Sequence, residues 1–263
     1  MTPDQINTAA RMLLQAESTG VQCGLLSLAY PQMTLDEAYA VQAAVVAAKI
    51  AAGRRRVGWK IGLTSRAMQE ALQITTPDSG VLLDDMVIAD GSIVPAGRFI
   101  QPRVEAEIAF ILNAPLLGEV TREAVLAATD YVSPALEILD TRVLRRDPAT
   151  GRGRVIFDTV SDNAANAGIV LGAAQHAVGD LRWVGAILKR DGVVEETGLG
   201  AGVLDDPVLG IVWLARRLAD YGQGLAAGEV VLSGSFIRPV EAPAGSRFDA
   251  DFGPFGRVAI GFD

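Results

Sequence analysis

Three glutamates interrupt apolar segments of the chain and could together hold a metal ion. Glu105 and Glu107 lie in the alternating run 104–112, and in an extended strand they share one face, about 7 Å apart. Glu137 interrupts a second apolar segment, residues 135–139, and could supply a third ligand. Because unpaired charge is unfavourable inside apolar strands, a divalent cation is a natural partner. A Glu-x-Glu pair alone, however, is more typical of a solvated strand face.

The other residue types narrow the choice of metal and of chemistry. The chain has 263 residues, 50% of them hydrophobic, which is enough for a substantial core. It contains one cysteine, Cys23, and one histidine, His176, so neither a disulfide framework nor a zinc site of Cys and His ligands can form. The remaining oxygen ligands favour Mg²⁺ or Mn²⁺, and Ca²⁺ is less favoured because the sequence has no dense Asp/Asn loop. The lone His176, in a loop-like stretch without a nucleophile motif, argues against a Ser-His-Asp hydrolase and is expected at the surface.

Charge and hydropathy indicate the class of partner. The net charge of -8, without a basic stripe, makes nucleic acid a poor partner. A small anionic substrate is compatible with this charge, since a metal and nearby Arg or Lys can invert the field inside one cleft. No basic segment precedes an apolar one at the N-terminus, and no apolar run approaches the roughly 20 residues of a membrane span. We therefore expect a soluble, cytoplasmic protein.

The local patterns predict helices first and mostly strands afterwards. A helix is expected near residues 3–17, and a second begins at the capping box 34–37 and ends at Gly53. One face of that second helix carries Leu35, Ala38, Tyr39, Gln42, Val45, Val46 and Ile50. The glycines of residues 57–64 indicate a strand that enters a tight turn and carries a buried Lys60.

Later segments complete a β-rich region. Asp191-Gly192 predicts a hairpin, Asp206-Pro207 begins a helix expected to reach about Tyr221, and residues 229–236 and 256–262 are predicted strands. These patterns predict a mainly helical N-terminal region, residues 1–72, followed by a β-rich catalytic domain, residues 73–263.

Five segments of the chain resemble a known family. They are residues 58–65, 82–86, 99–107, 157–168 and 234–239. The chain resembles the hydratases and decarboxylases of the fumarylacetoacetate hydrolase superfamily, nearly end to end, and among them the 2-oxohept-4-ene-1,7-dioate hydratases of homoprotocatechuate breakdown. The resemblance implies an α+β fold, a mixed β-sandwich or roll with a small N-terminal helical region. One departure is Trp59, where that subgroup can carry histidine.

The resemblance also implies roles for individual residues. A divalent metal held by residues matching Glu105, Glu107 and Glu137 would chelate the substrate's C1 carboxylate and C2 oxygen. Water then adds to a conjugated 2-oxo-3-ene, and Lys60 and Asp78 are the candidates for acid and base work. We expect a lowered pKa for Lys60, beside a cation and an apolar wall. Asp78 has an alternative interpretation as a turn residue.

Two further segments are expected to bind the substrate. Ser161 and Asn163 could offer polar donors, although the loop could instead satisfy its own groups. Gly234 and Ser235 could let backbone N–H groups approach the ligand. For a second, distal carboxylate the candidate is Arg238, and its rivals, each close in sequence to a predicted metal ligand, are Arg103 and Arg142.

The function implied is the metal-dependent hydration of 2-oxohept-4-ene-1,7-dioate to 4-hydroxy-2-oxoheptane-1,7-dioate. The alternatives are a 2-hydroxypentadienoate hydratase, a 4-oxalocrotonate decarboxylase or a non-catalytic partner subunit. The resemblance further suggests a homo-oligomer in which dimers assemble into a larger ring, such as a decamer.

Overall fold

The N-terminal helices begin at side-chain caps and pack on one another. A computed structural model describes residues 1–66, 69–70, 74 and 76–263. The first helices are α1 (Pro3–Thr19), α2 (Leu26–Ala29) and α3 (Leu35–Ala51). Thr2 and Thr34 cap α1 and α3 through reciprocal capping boxes, which satisfy backbone N–H groups that a helix leaves unpaired. The two long helices then share an apolar cluster with the later helix α5 (Ile156–Ser161).

Most of the remaining chain forms strands. In chain order they are β1 (Arg56–Gly62), β2 (Asp78–Leu83), β3 (Val87–Ile88), β4 (Ile93–Val94), β5 (Arg103–Leu112), β6 (Thr129–Leu139), β7 (Asn166–Leu171), β8 (Gly185–Arg190), β9 (Val193–Leu199), β10 (Val230–Ser235), β11 (Val240–Glu241), β12 (Arg247–Asp251) and β13 (Arg257–Phe262). The remaining helices are α4 (Arg122–Ala127) and α6 (Pro207–Ala219).

The described strands form two sheets that enclose the main core. The larger has the order β2-β1-β10-β5-β6-β7-β3 with β11 beside β5, and the smaller has the order β4-β13-β12-β8-β9. Apolar side chains of both sheets and of α6 form one buried cluster. This architecture agrees with the α+β class expected from the sequence.

The two long central strands, β5 and β6, decide where the acidic side chains lie. Their antiparallel register places Glu105 directly opposite Glu137. The alternate residues of β5, from Val104 to Leu112, enter the main core, as the alternation predicts. The glutamates of β5 therefore share the other face of the sheet.

Several local predictions are confirmed and two need correction. The hairpin turns at Asp191 and Gly192, both with positive φ, and His176 lies exposed in a loop. Ile50, expected on the buried face of α3, is exposed near the helix end. The helix that begins at Pro207 ends at Ala219, and a turn rather than helix leads to Gly222.

The boundary expected between residues 72 and 73 lies outside the described residues, so the division stays a prediction. Strand β1 precedes that boundary yet lies between β2 and β10 in the large sheet. Among the described residues, no helix combines the length and the apolar character that crossing a membrane requires.

Candidate metal centre and active site

Glu105, Glu107 and Glu137 form one cluster on the face of the large sheet. Each offers a carboxylate oxygen, and these oxygens lie within 4.8 Å of one another. Glu137 and Glu107 are 0% and 1% exposed, whereas Glu105 is half-buried and lines a cavity. The cross-strand register therefore brings Glu137 next to two acids that lie thirty or more residues earlier in the sequence.

Each buried carboxylate uses one oxygen to fix its position and leaves the other without a partner. Asn166 Nδ2 donates a hydrogen bond of 2.8 Å to Glu137 Oε1, and the Gly234 N–H donates one of 2.8 Å to Glu107 Oε2. Among the described residues, neither Glu137 Oε2 nor Glu107 Oε1 has a hydrogen-bond partner. Because unpaired buried oxygens are unfavourable and hard cations prefer oxygen ligands, this cluster fits a divalent metal.

Burial and the closeness of the three carboxylates change the pKa values of Glu105 and Glu107. Burial, and then the charge of Glu137, raise the pKa of Glu105 to about 8, although Lys60 opposes the rise. Burial raises the pKa of Glu107 well above its usual value, with Glu137 and Glu105 adding to the effect. The metal-free cluster therefore favours bound protons, and a cation must displace them to bind.

Lys60 extends from β1 into the same cluster. Its Nζ lies 3.3 Å from Glu137 Oε1, and the residue is 3% exposed. Burial alone would lower the pKa of Lys60, but the carboxylates of Glu137 and Asp78, among others, raise it above its usual range. The lowered pKa expected from the sequence assumed a cation beside Lys60. In the metal-free chain the direction is the opposite, because the charges around this ammonium are negative.

Asp78 is a buried strand residue rather than a residue of an exposed turn. It begins β2, pairs with Gly62 across the β1–β2 ladder and is 2% exposed. Burial raises the pKa of Asp78, while Lys60 lowers it. A Cβ atom at Gly62 would lie 2.2 Å from Asp78 Oδ1 and 3.0 Å from Lys60 Nζ. The missing side chain of Gly62 thus leaves the space that these two groups occupy.

A cavity of about 680 Å³ opens onto the cluster. Lys60, Asp78, Glu105 and Glu107 line it, together with apolar side chains such as Leu139. Its volume lies in the range of small-molecule sites. Charged groups able to bind a metal and to carry protons are therefore accessible to one small ligand.

Of the predicted substrate-binding residues, some line the cavity and others do not. Ser235 lines the cavity, and its Oγ donates to the Ile237 carbonyl at 2.8 Å. The Gly234 N–H is already committed to Glu107. Ser161 is fully buried outside the cavity lining, with its Oγ unpartnered among the described residues.

The Asn163 side chain is hydrogen-bonded to strand β2. Its Oδ1 accepts from the Val81 N–H at 2.8 Å and its Nδ2 donates to the Val81 carbonyl at 2.9 Å. The amide thus satisfies the edge of strand β2, 82 residues away, rather than groups of its own segment. Asn163, Ala164 and Ala165 all have positive φ, between 52° and 58°, and the two alanines line the cavity.

The arginines considered for binding a distal carboxylate differ in their exposure and in whether they line the cavity. Arg238 lines the cavity but is an exposed side chain that pairs with Glu196. Arg103 lines the cavity and pairs with Glu241. Arg142 is buried outside the cavity lining and binds Asp162, so its charge is already matched.

Sequence reasoning missed three residues that shape the site. Gly62 makes room for Asp78, Asn166 orients Glu137, and Arg154 lines the cavity. Asn166 belongs to the segment 157–168 that carries the family resemblance, which was an available signal. Arg154, one of several arginines in a Gly- and Arg-rich stretch, carried no such signal.

Comparisons with known proteins identify several enzymes that are similar to this chain. No protein-family model matches the chain. It is 51% identical, over 96% of both chains, to 2-oxo-hept-4-ene-1,7-dioate hydratase of Escherichia coli. It is 40% identical to 2-keto-4-pentenoate hydratase of Paraburkholderia xenovorans LB400, over 100% of this chain and 97% of the relative. The structure matches 4-oxalocrotonate decarboxylase of Pseudomonas putida G7, complexed with magnesium and adipate, with a TM-score of 0.93 and 32% identity over 100% of this chain and 99% of the other.

Proposed function

The chain belongs to the hydratases and decarboxylases of the fumarylacetoacetate hydrolase superfamily, and we propose that within this family it adds water to 2-oxohept-4-ene-1,7-dioate. The product is 4-hydroxy-2-oxoheptane-1,7-dioate. The observation that carries the proposal is the joining of three carboxylates and Lys60 at one cavity. The 51% identical relative, named for the same substrate, supports this choice within the family.

The proposed cofactor is Mg²⁺ or Mn²⁺, held by Glu105, Glu107 and Glu137. When bound there, the metal would act as a Lewis acid on the 2-oxo acid end of the substrate. The carboxylate oxygens that lack a hydrogen-bond partner in the described part of the chain support this assignment. The solved decarboxylase complexes that contain magnesium and calcium support a divalent ion in general.

Lys60 and Asp78 are assigned to the proton transfers. Moving the double bond into conjugation requires loss of a proton at C3 and gain of one at C5. Addition of water then places hydroxide on C4 and a proton on C3. Lys60 Nζ and Asp78 Oδ1 border the same glycine, Gly62, so two proton-carrying groups lie side by side at the cavity. Ser235, which lines the cavity, remains a proposed substrate-binding residue. Ser161 and Gly234 lie outside the lining, and the Asn163 amide bonds strand β2.

The pathway, the cellular location and the oligomeric state are proposed from the similarity to the same enzymes. We place the reaction in homoprotocatechuate degradation, in the cytoplasm, and expect a homo-oligomer, such as a decamer. A non-catalytic partner subunit is disfavoured, because a scaffold gains nothing from several buried charges around one cavity.

Product identification by mass spectrometry tests the reaction. The purified, Mg²⁺-loaded protein is incubated with the seven-carbon dienoate, with 2-hydroxypentadienoate and with 4-oxalocrotonate. We expect the mass of one water to be added, with the highest kcat/KM for the seven-carbon substrate. Loss of CO₂ from 4-oxalocrotonate as the main reaction would establish the decarboxylase instead, and faster hydration of the five-carbon substrate would establish the shorter-chain hydratase.

A further inference from the structure

Positive side chains line part of the cavity that holds the carboxylates. Arg103, Arg145 and Arg154 all line it, and Arg103 lies two residues from Glu105 on the same face of β5. Their Cα atoms are therefore about 7 Å apart along the strand. The cavity thus has both carboxylate and guanidinium side chains in its lining, and the guanidinium groups could bind a second carboxylate of a ligand whose first end lies at the acids.

Most of these arginines already have a carboxylate partner. Arg103 and Arg145 both donate to Glu241 Oε1, and Arg238 pairs with Glu196 on β9. Arg238 is also 76% exposed at its side chain. A ligand carboxylate bound at any of these groups would compete with an existing ion pair, and at Arg238 it would compete with water as well.

Arg154 differs because its polar partner is neutral. Its NH1 donates to Thr141 Oγ1 at 2.7 Å, and among the described residues no carboxylate forms an ion pair with it. The nearby Asp162 is held by the backbone and guanidinium of Arg142. Burial lowers the pKa of Arg154, and Arg145 and Arg103 lower it further, whereas Asp162 opposes the change. The half-buried cation is therefore poorly compensated, which favours an anion beside it.

We propose that Arg154 binds the distal carboxylate of the substrate and thereby selects dioates over monocarboxylates of equal length. This inference rests on the proposed function, since it assumes that the 2-oxo acid end lies at the glutamates. It replaces Arg238 as the expected anchor. The positive charges of Arg103 and Arg145 also line the cavity, but both side chains keep their ion pairs with Glu241.

The test compares binding of two unreactive ligands of equal carbon count. Isothermal titration calorimetry measures the affinity of the Mg²⁺-loaded protein for 2-oxoheptanedioate and for 2-oxoheptanoate, which lacks the distal carboxylate. The original chain should prefer the dioate by roughly 10- to 100-fold, the effect of a hydrogen-bonded charge pair. Arg154→Met should abolish the preference and leave the affinity for 2-oxoheptanoate unchanged.

Control variants separate the anchor from general effects. Arg152→Met makes the same change at an exposed position two residues away. Arg238→Met tests the other candidate anchor, an exposed side chain that also lines the cavity. Both should keep the preference. Arg154→Lys retains the positive charge but cannot form bidentate hydrogen bonds to a carboxylate, so it should show an intermediate preference for the dioate. This variant keeps the test valid even if Arg154→Met folds poorly.

Three results would overturn the anchor. They are an unchanged preference in Arg154→Met and Arg154→Lys, no preference in the original chain, or a loss of preference in Arg238→Met alone. Turnover is measured separately. An original chain that prefers the dioate but adds no water to the dienoate contradicts the proposed hydration and leaves the anchor standing.

Discussion

Lys60 Nζ lies 3.3 Å from Glu137 Oε1, and this ion pair joins the candidate proton carrier to a candidate metal ligand. The same Glu137 oxygen accepts a hydrogen bond from Asn166, while the second oxygen has no partner among the described residues. Glu137 can therefore keep its orientation through Oε1 and bind a cation through Oε2. This arrangement suggests separate tests for metal binding and for proton transfer.

Removal of a candidate ligand should weaken metal binding more than removal of a residue that only orients it. Asn166→Ala should lower Mg²⁺ affinity by roughly 10- to 100-fold, the effect typical of an orienting partner. Glu105→Ala, Glu107→Ala and Glu137→Ala should each exceed that loss and abolish turnover, while circular dichroism shows the fold intact. Calorimetric titration with Mg²⁺ measures the series. Unchanged affinity in all three glutamate variants would refute the metal site.

Replacement of Lys60 should separate proton transfer from metal binding. Lys60→Met keeps an apolar stem but removes the ammonium, so kcat should fall by roughly 10² to 10⁴ while Mg²⁺ still binds. Lys189→Met, on strand β8 outside the cavity lining, is the control and should retain activity. Steady-state kinetics at saturating Mg²⁺ measure the change. A nearly unaltered kcat in Lys60→Met would exclude Lys60 and leave Asp78 as the candidate.

A single methyl group at Gly62 should disturb the proton-transfer pair. The Cβ atom would lie 2.2 Å from Asp78 Oδ1, closer than side-chain carbon atoms can approach, so Asp78 must move. Gly62→Ala should lower kcat by at least roughly 10-fold, since small displacements of reacting groups are costly, but retain Mg²⁺ affinity. Gly24→Ala is the matched control, because a Cβ atom there would have no described residue within 4 Å apart from its chain neighbours. Equal kcat in the two variants would contradict this account.

The pH dependence of stability should follow the crowded carboxylates. Burial and Glu137 raise the pKa of Glu105 to about 8, whereas an unfolded glutamate has a pKa of about 4.3. The folded, metal-free chain therefore binds the proton more tightly than the unfolded chain. This residue's contribution to stability must decline as the pH rises from the lower value through the higher one.

A divalent cation binds the ionised carboxylates and should offset that loss. The increase in melting temperature caused by Mg²⁺, relative to EDTA, should be larger near about pH 9 than near about pH 6. Scanning calorimetry at both pH values measures it. In EDTA, Glu105→Gln should lose less stability than the original chain over this interval, because its amide does not titrate. An equal Mg²⁺ effect at both pH values would contradict the assignment.

The sequence by itself determined the elements and part of the site. The alternation around Glu105 and Glu107 places both side chains on one strand face, a consequence of the two-residue period of a strand. The caps at Thr34 and Asp206 set the starts of their helices because side-chain oxygens satisfy local N–H groups. The acid that interrupts the apolar segment 135–139 and the family resemblance both predicted Glu137 as the third ligand, although nothing local places it beside β5.

Only the tertiary structure decided which of these groups meet, and with what charge around them. The register of β6 against β5 sets Glu137 opposite Glu105, and the β1–β2 ladder buries Asp78 beside Lys60. Four carboxylates around one ammonium raise rather than lower the pKa of Lys60, a sign that depends on the sum of the neighbouring charges. Arg154 differs from the other arginines of the cavity because no acid of the described residues forms an ion pair with it. Such pairings depend on long-range contacts, which local sequence patterns do not encode.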